Sequence, residues 1–140
     1  MKRIILVLVA IGFIAAVTTA KATFSNKKAS KMYVLSDDKH KACIEACNTC
    51  IASCKKVEAM CTKEKNAKMA ECGKLCKECV TACTGSVKSM KENSANCKSK
   101  CLECAKICEK CATECDKFDM ADCKKCATNC RNAAKHCNEM

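Results

Sequence analysis

From Ser36 to the end of the chain the apolar positions recur at steps of three and four, and most of them hold cysteine. They form four groups: Cys43, Cys47, Cys50, Cys54 and Cys61; Cys72, Cys76, Cys79 and Cys83; Cys97, Cys101, Cys104, Cys108, Cys111 and Cys115; Cys123, Cys126, Cys130 and Cys137. Within a group every step is 4, 3 or their sum, 7. Such steps put side chains on one stripe of an α-helix, the seam by which helices of a bundle meet. Between groups the phase breaks, and the breaks coincide with residues suited to turns and caps: Ser36, Asp37 and Asp38, then Asn66, then Asn93 and Ser94, then Asp119. Proline is absent, and Ala, Lys, Glu and Met abound, so little interrupts a helix. The pattern predicts an all-α fold over residues 36–140, an antiparallel up-down-up-down four-helix bundle with a cysteine-lined core. The third stripe, Cys97 to Cys115, would alone run about 27 Å. Ile44 with Ile51, and Val80 with Val87, sit seven apart beside the stripe, where they would seal helix against helix.

Upstream the pattern changes. Lys2 and Arg3 precede an apolar run from Ile4 to Val17 and a small-x-small site at Ala20-Lys21-Ala22, so residues 1–22 read as a Sec-type signal peptide. The run is shorter than the ~20 residues that span a bilayer, which argues against a retained anchor and against stable membrane association after cleavage. Without an Arg-Arg pair, the leader favours export of an unfolded, metal-free chain to a periplasmic or extracellular destination, with metal loaded there. Residues 23–35 are polar and basic without periodicity and read as a flexible lead-in.

Composition sharpens the question of what fills the interior. All 19 cysteines lie between Cys43 and Cys137. From Ser36 onward the large aliphatic and aromatic core formers are only Ile44, Ile51, Val57, Leu75, Val80, Val87, Leu102, Ile107 and Phe118. That is well below the ~20% typical of chains that bury an ordinary core. The formal charge of +11 falls to +8 once Lys2, Arg3 and Lys21 leave with the leader. Lysines are scattered among glutamates, and the aromatics beyond the leader are Phe24, Tyr33 and Phe118, so no stacking platform for nucleic acid exists. The positive surface instead offsets the negative charge that arises when thiolates outnumber monovalent ions.

The stripe carries the chemistry. Eight pairs have the form C-x-x-x-C and five the form C-x-x-C. Neighbours on a helix face have Cβ atoms about 5–6 Å apart, and two thiolates bridged by one ion at roughly 2.3 Å each stand up to about 4.6 Å apart. One helix can therefore chelate a soft ion with two sulfurs. Cu(I), which accepts two or three thiolates, suits that arrangement better than zinc, which wants a tetrahedron. Three other readings compete. A disulfide-stapled structural or binding module is the usual use of exported cysteines, but an odd count and pairs along regular helices oppose it. Zinc or iron–sulfur sites would show separated knuckles or ferredoxin-like spacing, and a copper chaperone would need far fewer ligands. No nucleophile, base and orienting group stand apart from the stripe, so an enzyme is not expected. Near the helix ends, His40, Met90, His136 and Met140 fall at one mouth of the predicted bundle and Met60, Met69 and Met120 at the other. His40 is in phase with Cys43 and Met69 with Cys72, so His40, Met69 and Met120 join the nineteen cysteines as candidate metal ligands.

Cys43-x-x-x-Cys47-x-x-Cys50-x-x-x-Cys54 and its echoes at Cys72 to Cys83, Cys97 to Cys115 and Cys123 to Cys130 resemble the copper storage protein family over roughly residues 37–140. That resemblance implies many Cu(I) ions per chain held by inward cysteines, His and Met near an open end, and a homo-oligomer, a tetramer of bundles. Some exported relatives carry a twin-arginine leader, and this chain departs in its Sec-like one. Residues and resemblance together point to storage or buffering of Cu(I).

Overall fold

The computed structural model describes residues 27–64 and 67–140. Among them the chain forms α1 (Lys27–Glu64), a short 3-10 turn (Ala67–Met69), α2 (Ala70–Lys91), α3 (Cys97–Cys115) and α4 (Ala121–Asn138), with no strand among the described residues. Each helix packs on its neighbours in sequence, and α1 closes the ring against α4. This is the antiparallel four-helix bundle predicted from the spacing. The signal-peptide reading of residues 1–22 and the turn residue Asn66 lie outside the described residues.

The helix boundaries follow local rules that the spacing did not reveal. α1 begins at Lys27, so residues 27–35, read as part of a flexible lead-in, are helical instead. That stretch contains no Pro or Gly, and extending an existing helix costs far less than nucleating one. Asn93 and Ser94 end α2 rather than capping α3. Asn93 takes the left-handed conformation at φ 46. Its N–H donates to Met90 O, and the Ser94 N–H donates to Ser89 O. This is a Schellman closure, which Asn tolerates better than most side chains. The residue preceding α3 is Asn96, and the one preceding α4 is Met120 rather than Asp119; neither makes a side-chain capping hydrogen bond.

The core is made of sulfur and small residues. Cysteine side chains fill it together with Ala46, Ala105, Ala112, Ala127, Ala133, Ala134, Val57, Met69 and Met90, all buried. Ile44, Ile51, Val80, Val87 and Ile107 are half-buried against it, as seam-sealing positions should be. Small side chains let the helices approach closely, because nothing bulky holds the backbones apart. Outside, Lys56 pairs with Asp122 at 2.7 Å between α1 and α4, and Arg131 of α4 pairs with Asp116 at the end of α3. Exposed pairs of this kind contribute about 0–1 kcal/mol each, so the sulfur-filled interior dominates cohesion.

The two glycines of the bundle test this packing. A Cβ at Gly73 would sit 3.0 Å from the Cys61 Cβ, whereas one at Gly85 meets nothing within 4 Å. Gly85→Ala is expected to raise stability by about 0.5–1 kcal/mol through helix propensity. Gly73→Val is expected to lower it by about 1–3 kcal/mol by forcing α1 and α2 apart. Chemical denaturation of the reduced protein checks both, and equal effects would contradict the packing described.

Candidate metal centre

The four seams converge on one axis. At the end where α1 starts and α4 finishes, the Lys39 ammonium donates to the Glu139 carbonyl at 3.4 Å. Just inside, the sulfurs of Cys43, Cys101 and Cys137 lie within 4.8 Å of one another. Four groups of four follow along the axis, each within the same limit: Cys50, Cys79, Cys83 and Cys108; Cys50, Cys54, Cys79 and Cys130; Cys54, Cys111, Cys126 and Cys130; Cys76, Cys111, Cys115 and Cys126. Each group shares two members with the next. Cys47 joins near the first end, with its sulfur 3.7 Å from that of Cys137. Toward the other end Cys72 lies 3.6 Å from Cys115, and the buried Cys61 and Cys123 complete the column. All of these sulfurs are free thiols.

The shortest contacts run between helices. Cys43–Cys137, Cys50–Cys130 and Cys54–Cys126 stand at 3.5 Å between α1 and α4, and Cys79–Cys108 and Cys83–Cys104 at 3.5 Å between α2 and α3. Pairs four apart on one helix, Cys50–Cys54 and Cys126–Cys130, are wider at 3.9 Å. Ligand sets are therefore built across the bundle as well as along each helix.

The candidate ligands occupy three environments. Eighteen of the nineteen cysteines are buried, and Cys97, the first residue of α3, is half-exposed at the rim. Met69, 2% exposed, sits inside the end reached by α2's first turn, and Met120 is half-buried there. His40 is partly exposed one turn before Cys43. Met90, in the last turn of α2, is as buried as Met69, so a thioether lies within each end of the core. Several occupants of the seam escape a search for cysteines. Val57 and Ala134 fill the seam positions inside the two steps of seven, while Ser86 and Met90 continue the α2 stripe past Cys83. The Ser86 hydroxyl donates to the Lys100 carbonyl at 3.0 Å, and the buried Ser89 hydroxyl has no hydrogen-bond partner. Extending the three-four register through the gaps would have found Val57, Ala134, Ser86 and Met90.

Crowding decides where protons sit. Hydrogen bonds from Cys108, Cys130, Cys54 and Cys79 pull the Cys50 thiol well below its ordinary range against the effect of burial. Contacts with Cys111, Cys126, Cys130 and Cys50 push Cys54 upward. Cys72 is lowered to about 4 by hydrogen bonds from Cys115 and then Cys76. Cys123 is raised to about 12, first by burial and then by the charges of Cys72 and Cys61. A column that holds reduced sulfur in buried groups of three and four defines a class of protein: a helical thiolate vessel for soft metal ions.

Comparisons narrow that class. Residues 36–140 match the family described as Csp, copper storage protein. The chain belongs to the copper storage protein family. Cu(I)-bound copper storage protein BsCsp3 is 38% identical, with a TM-score of 0.70 over 73% of this chain and 97% of that one. The apo form of copper storage protein 3 from Bacillus subtilis is 37% identical, with a TM-score of 0.66 over 71% and 95%. A protein from Nitrosospira multiformis is 30% identical, with a TM-score of 0.67 over 74% and 94%. No curated protein matches the chain.

The Cys123 shift sets a pH dependence for the empty protein. Its folded value of about 12 exceeds the ordinary 9.0, so the fold retains a proton that the unfolded chain releases. That stabilisation is complete below pH 9.0 and is lost as pH rises toward about 12. Cys72 runs the other way, but its contribution is already complete above 9.0. The melting temperature of reduced, metal-free protein is therefore expected to fall from about pH 9 to about pH 11, less steeply in Cys123→Ala. Parallel melting curves for the two proteins would contradict the assignment.

Proposed function

We propose that this protein stores multiple Cu(I) ions per chain as thiolate complexes along the axis of the bundle, protecting its compartment or supplying a copper enzyme. The observation that carries this reading is the run of four overlapping sulfur groups through the interior of a copper storage family member. Isolated structural sites would not overlap. A chaperone handing on one or two ions would not need a lined core. The nineteen cysteines act as the principal ligands, with Cys97 at the rim exchanging most readily. His40, Met69 and Met120 serve as weaker ligands at the two ends, softer and more labile than the thiolates between them.

The protein has no catalytic role in this reading: the chemistry-bearing side chains are committed to the column. In a groove of about 470 Å³ between α2 and α3, lined by Glu78, Thr81, Lys100, Glu103 and Cys104 among others, the Thr81 hydroxyl donates to the Lys77 carbonyl at 3.1 Å and Cys104 belongs to the column. The Sec-type leader delivers the chain to the periplasm or beyond as a soluble protein, and the bundles associate as homo-tetramers. Among the described residues no helix is long and apolar enough to cross a membrane. Partners are Cu(I) and the proteins that donate or accept it.

Titration of the reduced, metal-free protein with Cu(I) against a competing chelator is expected to give about ten or more ions per chain, with protons released as thiols deprotonate. A stoichiometry of one or two would establish a chaperone instead, and the absence of titratable thiols in freshly isolated protein a disulfide module. Because large apolar side chains are scarce, Cu(I) should raise the melting temperature strongly, as ions that bind only the folded state do. Identical melting of empty and loaded protein would count against storage in the core. Sequencing of the exported protein should begin at Thr23 if the leader is cut after Ala22, and a start at Met1 would refute that processing.

A further inference from the structure

The sulfur positions distinguish between ions by their preferred coordination. With metal–sulfur bonds of about 2.3 Å, two ligands in line stand about 4.6 Å apart, three in a plane about 4.0 Å, and four in a tetrahedron about 3.8 Å. In the group Cys50, Cys54, Cys79 and Cys130, five of the six sulfur–sulfur edges are resolved as close contacts. Cys50–Cys54 is 3.9 Å, Cys50–Cys79 3.6 Å, Cys50–Cys130 3.5 Å, Cys54–Cys130 3.7 Å and Cys79–Cys130 4.0 Å. The sixth, Cys54–Cys79, is below 4.8 Å. The five resolved edges scatter about the tetrahedral value and fall short of the linear one.

We propose that these four cysteines form a preorganised tetrahedral site for one zinc-class divalent ion, Zn(II) or Cd(II), in the copper-free protein. Two ligands come from α1, one from α2 and one from α4, so the ion ties three helices together at mid-core. All four side chains are fully buried, which excludes water as a ligand and leaves a closed site of structural type. Binding holds all four ligands as thiolates and leaves a complex of net charge −2. A neighbouring thiol offsets part of that charge: Cys108 lies 3.5 Å from Cys79 and donates S–H to that ligand sulfur, which delocalises charge as outer partners do in closed zinc sites. The sequence conceals the site because its ligands come from three helices and form no knuckle motif.

The role differs from storage. One divalent ion consumes four thiolates that could otherwise hold at least two Cu(I) ions, so it suits a protein waiting empty. Cu(I), the softer ion, displaces it as the column fills. The site requires these four thiols to be reduced but does not require that Cu(I) be the cargo.

The test uses the full reduced, metal-free chain under anaerobic conditions, with Co(II) as the visible probe. Expected is the intense absorption of tetrahedral thiolate-bound Co(II), saturating at one ion per chain and bleached by stoichiometric Zn(II). Cys50→Ser and Cys130→Ser should abolish that first-equivalent absorption, while Cys97→Ser, at the rim, should retain it. Circular dichroism confirms that each variant folds. Should a serine variant fail to fold, X-ray absorption of the zinc form of the unaltered chain decides, with four sulfurs at about 2.3 Å expected. Weak octahedral absorption, nitrogen or oxygen ligands on the zinc, or signals unchanged in both folded serine variants would overturn the proposal. A parallel Cu(I) titration separates the two readings: copper filling without a tetrahedral cobalt signal sinks this site alone, and the converse sinks storage alone.

Discussion

The structure depends on one constraint: eighteen thiols must share an interior that their own small volume makes narrow. A conventional bundle derives its cohesion from large side chains, each fully buried one contributing about 1.5–3 kcal/mol. Here the interior holds Val57, two methionines and a series of alanines besides cysteine. Buried cysteine acts as a small, polarisable hydrophobe, and close packing without voids demands that the helices draw together. That approach brings sulfurs of different helices to 3.5 Å. The composition that weakens the apolar core is thus the same one that creates a ligand field, and the two properties cannot be adjusted separately.

The surrounding shell accommodates this core. Ile44, Ile51, Val80, Val87 and Ile107 close the seams between helices without entering the axis. Ion pairs such as Lys56–Asp122 and Arg131–Asp116 stay on the outside, where solvent screens them. The excess of lysine is spread over that exterior and opposes, at long range, the negative charge a thiolate-rich interior carries.

Much of this was legible in the chain itself, because a step of three or four residues has a single geometric meaning on an α-helix. Cys43 to Cys137 could be assigned to four inward stripes on that ground alone, and the stripes do meet. The ends of the helices were less legible. Residue type alone marks Asn93 as a cap for α3, yet it closes α2, since a capping role depends on where the backbone leaves the helix. Polarity without periodicity predicts a flexible lead-in over residues 23–35, but from Lys27 the backbone continues the helix that the stripe nucleates. Within the column, sequence spacing reports only neighbours on one helix. Which sulfurs meet across the bundle depends on the axial offset of helices that no local pattern encodes. The pairing of Cys50 with Cys130 follows from that offset.

The overlap of consecutive sulfur groups has a kinetic consequence. Because the four groups of four each hold two cysteines in common with the next, a bound ion can step between them by exchanging two partners while the other two keep hold of it. Transport along the axis then becomes a sequence of short hand-overs in which the metal is never released into solvent. Traffic in so narrow a channel is single file, so the ion nearest an opening is the last to arrive and the first to leave.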